Sequence, residues 1–225
     1  EVMHDFTAHA SSFDNAGGKL LIGEHFNASL GQFDNTAGLL QAGSWRIAVA
    51  LGLDNSGGVL RHMGNETAVL TVGTQLNNEK GTLESAGSMQ LSAGAIAGSG
   101  SRLTSQGDLQ LDSGATSALG ANWNIAGSAT IRTGTLDTSG IISAGKELNV
   151  TSAALNNQAG LLYGASNVVV RVDGALLNHD GGQIDSGGAL SLTGQSLGNH
   201  GGSVKADGPA LFSFSAGADN TSGIL

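Results

Sequence analysis

The sequence predicts an all-β chain: a right-handed parallel β-helix, or β-solenoid, of about ten coils of roughly 20 residues each. Three observations carry this. A short polar signature returns at near-constant spacing, glycine stands at a fixed offset from it, and a brief apolar–polar alternation closes most units. Each has its own physical meaning.

The signature reads apolar, Asp or Asn, Asn, two variable residues, Gly, one variable residue, aliphatic. It begins at Phe13, Phe33, Leu53, Leu76, Leu155, Leu177 and Leu197, spaced by 20, 20, 23, 79, 22 and 20 residues. The gap of 79 holds four units in which the signature blurs. Ile96 stands where a start is due, Leu136 opens a copy one residue short, and Thr116–Leu119 is the hardest stretch to phase. Residues 96–135 are therefore expected to form irregular coils. Residues 1–12 read as an incomplete first coil and Ala218-Asp219-Asn220 as the opening of a truncated last one. The whole of 1–225 reads as one repeat domain, cut from something longer.

Stacking the units yields three columns. The polar pair is Asp14-Asn15, Asp34-Asn35, Asp54-Asn55, Asn77-Asn78 and Asn156-Asn157, with variants Asn178-His179 and Gly198-Asn199. Stacked Asn side chains bond to their copies above and to the turn backbone, so this column is expected to be a structural ladder. The glycine column is Gly18, Gly38, Gly58, Gly81, Gly160, Gly182, Gly202 and Gly223. A fixed glycine marks a corner with positive φ or a tight backbone approach. Two residues on comes an aliphatic: Leu20, Leu40, Leu60, Leu83, Leu162, Ile184, Val204 and Leu225.

The closing stretches, such as Met89-Gln90-Leu91, Leu148-Asn149-Val150 and Val170-Arg171-Val172, alternate with the period of a strand that has one side inward. Gly, Ser, Asn or Asp bounds each of them. One such coil cannot fold alone. Its few inward aliphatics contribute ~1.5–3 kcal/mol each, whereas ordering the backbone costs ~1–2 kcal/mol per residue. Neighbours above and below supply the missing burial and pair every strand. Parallel strands joined by crossovers favour the right-handed path, and coils ~4.8 Å apart give a rod of roughly 50 Å.

The signatures LDNSGGVL, LNNEKGTLESAGSMQL, LNNQAGLLYG and LNHDGGQIDSGGALSL, starting at Leu53, Leu76, Leu155 and Leu177, resemble the haemagglutinin-type repeats of large two-partner-secretion exoproteins. That group includes filamentous haemagglutinin and the contact-dependent growth inhibition effectors of Gram-negative bacteria. The resemblance, over roughly residues 13–225, implies a secreted or surface-displayed filament exported through a partner β-barrel transporter of the outer membrane. It implies a stalk segment of an adhesin or a toxin-delivery protein, with a receptor on target or host cells as a further partner. Neither a secretion domain nor a toxin domain is evident within the chain.

Composition narrows the alternatives. Charged residues make up 12% and aromatics 4%, with only 6 Glu, 4 Lys and 5 Arg, too few to dress surface helices. Glycine has no three-residue period, which excludes collagen. The net charge of −9 without any Lys or Arg cluster excludes nucleic acid as a partner. The absence of cysteine rules out disulfides and zinc–thiolate sites, and no cofactor is expected.

An enzyme of the polysaccharide-degrading kind needs convergent carboxylates on one groove. The nearest candidates are Asp14, Asp34 and Asp54, yet the same place becomes Asn77, Asn156 and Asn178 elsewhere, as turn-forming residues do. No catalytic residue is therefore assigned. His179 and His200 lie about one coil apart without a third ligand, and no metal site is assigned. Trp45 and Trp123 fall near inward columns, which favours packing over carbohydrate stacking. Asn-x-Ser/Thr sequons stand at Asn27, Asn65, Asn149 and Asn220. The leading expectation is a non-enzymatic stalk. The alternatives are a receptor- or carbohydrate-binding module with residues 96–135 as its contact surface, and a β-helical enzyme.

Overall fold

The computed structural model describes residues 1–225 and contains no helix: 21 strands join in one sheet system. Strand pairs are parallel throughout, each strand lying on the equivalent strand of the next coil. The coil starting at Leu76 shows the path. Leu76-Asn77 leads into a turn, Thr82–Ser85 follows, and a second turn brings the chain to Met89–Ala97. Inward and outward residues alternate from Met89 to Ala93, slip by one at Gly94-Ala95, and resume at Ile96, which marks the bend into the next coil. A single core of 47 buried apolar residues runs through the stack.

Strand register places the coil starts in one column: Phe13, Phe33, Leu53, Leu76, Ile96, Thr116, Leu136, Leu155, Leu176, Leu197 and Ala218. Two sequence-based expectations change here. The stretch 96–135 is not irregular in its backbone. Its strands pair with one another at an offset of 20, and with the coil that follows at 19, with no register shift within any pair, while shifts occur at Ile22/His25, Val72/Gln75 and Gly194/Ser196. Second, the start in the third-last coil is Leu176, not Leu177. The pairs Leu155–Leu176 and Asn156–Leu177 put Leu177 in the outer polar position and Asn178 in the inner one. His179 thus leaves the Asn column and becomes a turn residue. The cause is one extra residue in that turn, where four positions separate Asn178 from Gly182 instead of three.

The blurred signature has a packing explanation. In three successive coils the inner Asn is replaced by Gly98, Ala118 and Thr138. Trp123 stands in the aliphatic column of the middle one, paired with Leu103 and Ile142. Its indole Nε1 donates to Ser101 Oγ at 3.0 Å, and a methyl group on Gly98 would lie 3.4 Å from its ring. The ring fills volume that asparagines hold elsewhere, and close packing demands small residues around it. Trp45 and Trp123 are both buried, as their phases predict. Phe6, Phe13, Phe26 and Phe33 form a comparable aromatic stack in the first coils, with centroids 5.5–6.4 Å apart.

The two readings of the fixed glycine separate cleanly. The left-handed residue is the one before it: Gly17, Gly57, Gly181 and Gly201, but also Ala37, Lys80, Ala159 and Ser222, at φ 52–85°. The column glycine itself is there for close approach. A methyl group on Gly58 would stand 2.7 Å from Asn55 Oδ1 and 3.0 Å from Asn35 Nδ2, with the Asn35 carbonyl nearer still. Backbone cannot yield there as a side-chain tip would.

Two substitutions test this division. Gly58→Ala is expected to lose about 3 kcal/mol as an overpacked core position does. Lys80→Gly, relieving φ 53°, is expected to change stability by less than about 1 kcal/mol, in the stabilising direction. Urea unfolding followed by circular dichroism checks both, and comparable losses at the two positions would contradict the assignment.

Candidate functional site

The polar pair of each unit divides into two columns with different work. The inner one is Asn15, Asn35, Asn55 and Asn78, then Asn157, Asn178, Asn199 and Asn220. Most of its members are fully buried. Within each run Nδ2 donates to Oδ1 of the next coil's Asn at 2.6–2.7 Å, up to Asn78 and Asn220, which end the runs. The same amide group reaches the carbonyl of its own column glycine, as Asn55 does to Gly58 at 3.3 Å, and a carbonyl one coil on, Thr82 at 3.3 Å. The glycine N–H returns a bond to the Asn carbonyl, Gly58 to Asn55 at 3.0 Å. A side-chain amide closes the corner because a buried turn leaves carbonyls that nothing else satisfies.

The outer column holds Asp14, Asp34, Asp54, Asn77 and Asn156. Its side chains face outward and take the N–H two residues on: Ala16 to Asp14 and Thr36 to Asp34, each at 2.8 Å, Ser56 to Asp54 at 2.9 Å, Glu79 to Asn77 and Gln158 to Asn156, each at 3.2 Å. These are Asx turns. Asn77 also donates to both oxygens of Asp54 at 3.2 Å.

Asp14, Asp34 and Asp54 do come together. With Gln32, Gln75 and Leu51 they line an open groove of about 640 Å³ across the first coils. The Asp54 carboxyl is set up to be ionised, not to act as a general acid. Burial alone would raise the Asp54 carboxyl, but hydrogen bonds from Ser56, Asn77 and Thr36 outweigh it and hold the group below the ordinary aspartate value. A general acid needs the opposite shift, so that it keeps its proton near neutrality.

His179 and His200 stack at the same turn position in adjacent coils. His179 Nδ1 lies 2.9 Å from Asp180 Oδ2. No three His, Asp or Glu side chains converge to hold a metal ion. Of the sequon asparagines, Asn65 lies exposed in a turn while Asn220 belongs to the ladder.

A family model for the haemagglutinin repeat matches residues 4–57, 46–113, 120–194 and 170–211. The chain belongs to the haemagglutinin repeat family. Haemagglutinin repeats are thus recognised through most of the blurred stretch, where the coil register is also unbroken. Comparison with curated proteins and with solved structures gives no match.

Sequence reasoning placed both polar columns but did not separate their roles. The separating signal was present: the inner place is Asn in every clear unit, while the outer place alternates between Asp and Asn. A side chain that must accept at one atom and donate from another at ladder reach suits an amide, whereas an Asx turn needs only an acceptor.

Asn55→Asp tests that distinction. It keeps the shape but turns the donor to Asn78 Oδ1, Gly58 O and Thr82 O into an acceptor. It should cost about 3–5 kcal/mol at neutral pH, as an uncompensated buried charge does. Asn55→Ala should cost about 2 kcal/mol. Chemical denaturation ranks the two, and an aspartate tolerated as well as alanine would refute the ladder's role.

Proposed function

We propose that this chain is a stalk segment of an exported, surface-displayed exoprotein, an adhesin or a contact-dependent growth inhibition effector. The observation that carries it is the unbroken stack: one core through every coil, with a signature of haemagglutinin repeats. Proteins built of such repeats are structural or adhesive, and their setting is two-partner secretion. The work of the segment is mechanical. A rod whose coils are held by strand pairing and a buried amide ladder keeps whatever it carries at a fixed distance from the producing cell. A passage through an outer-membrane β-barrel transporter fits a chain whose coils fold by adding to coils already formed. The polar, acidic outer faces keep rods apart in solution.

The competing reading is a receptor-binding module centred on residues 96–135. Register makes that stretch two whole coils, since Ile96 and Leu136 share one column, so it can be removed without changing phase. In the full-length exoprotein, deletion of 96–135 should leave secretion and target-cell binding at wild-type levels and shorten the rod by ~10 Å. Loss of cell binding with secretion intact would transfer the function to the deleted coils. Flow cytometry on displaying cells reads both quantities.

A further inference from the structure

One inward position breaks the pattern of its column. The residues stacked on it are Ala42 in the preceding coil and Ser85 and Ser105 in the two that follow, but here the residue is His62. The imidazole is only 1% exposed.

The surrounding hydrogen bonds favour one state of the ring. Ser85 Oγ lies 3.1 Å from His62 Nδ1. That hydroxyl has one proton, which goes to the Ser88 carbonyl at 3.1 Å, and it accepts the Gly87 N–H at 3.2 Å. That arrangement leaves a lone pair to accept from His62 and suits the tautomer protonated on Nδ1, in which Nε2 is a bare acceptor. Nε2 is buried without a partner, and so is Nε1 of Trp45. The indole and the imidazole meet edge to face, with centroids 5.8 Å apart.

The chain makes its longest version of the second turn directly after this residue. Met63–Thr67 spans five residues where Ala86–Ser88 spans three in the next coil. Glu66 in that turn is the charged group that acts on the ring. From the following coil the facing group is Ser85, while Glu84 is occupied by Arg61 at 2.6 Å on the outer side. From the preceding coil the neighbours are Ala42 and Trp45, neither of them charged, and Arg46 is exposed.

We propose that His62 is an acid-operated latch: a proton on Nε2 opens the Met63–Thr67 turn and the strand ends it joins, while the coils to either side stay stacked. Protonation places a cation and a new N–H donor where no acceptor exists, and the donor gains water or Glu66 only when the turn moves. Burial lowers the proton affinity of the folded ring, and Glu66 offsets part of that. The unfolded ring therefore binds the proton more tightly, so stability is full above about pH 6.5 and declines as the pH falls below it. The opening stays local because a solenoid coil touches only its neighbours. The other five histidines lie on the surface or in turns, His179 half-buried and the rest exposed, so they do not share this constraint.

Hydrogen exchange read by mass spectrometry tests the latch on the intact chain. After correction for intrinsic pH effects, peptides covering residues 59–70 should lose protection severalfold between about pH 7 and pH 5, in the direction set by the lowered proton affinity of the folded ring. Peptides covering residues 141–150 should not change. His62→Ser, the residue that the column carries at 85 and 105, should abolish the effect. An equal loss in His62→Ser, or none in the native chain, overturns the proposal. Incorporation of fluorotryptophan supplies a reading that needs no substitution at 62. The Trp45 signal should shift with acidification while that of Trp123 holds, and a static Trp45 signal would likewise overturn it.

Discussion

A side chain that bonds to its own copy in the next coil sets the tolerance for everything else in this molecule. The amide ladder closes only when successive corners lie directly over one another, and that fixes the depth at which each turn enters the core. From this follow the missing Cβ at the column glycine and the outward Asx turn on the other side. Insertions are accepted only where the ladder does not pass, or where the turn can carry an extra residue beside it. Met63–Thr67 is an example of the first, and Asn178–Gly182 of the second.

Much of this was legible in the sequence, for a physical reason. A coil contacts coils like itself, so every structural demand is written once per turn and period replaces long-range inference. The start column, the inward aliphatics, the corner glycines and the burial of both tryptophans could all be read that way. What failed to be legible failed where two residues satisfied one demand. Leu176 and Leu177 both qualify as an apolar start, and an added turn residue moved the frame by one. In the stretch 96–135 the demand was met by different chemistry, one large indole with small residues around it. A search for asparagine finds disorder there, although the backbone is as regular as anywhere. The His62–Trp45 pair was invisible because a lone histidine shows no period.

The candidate site also has a negative lesson. Asp14, Asp34 and Asp54 are aligned, outward and beside a groove, which on spacing alone suggests catalysis or metal binding. One oxygen of each already takes a turn N–H, and Asp54 is tuned to stay ionised. An aligned row of carboxylates is the by-product of repeating one turn. In a solenoid, recurrence is the default state of any residue, so function is better sought in what does not recur.

The gap in the ladder has a consequence under load. Two runs of four amides flank three coils, at Gly98, Ala118 and Thr138, where the corner lacks this clamp and is held by strand pairing, one tryptophan and the Thr138 hydroxyl. A rod drawn taut along its axis concentrates its yielding there, so a force spectrum begins with the contour length of those coils. The strand then lengthens in its middle while both ends keep their grip, which is how a fibre absorbs a tug without letting go.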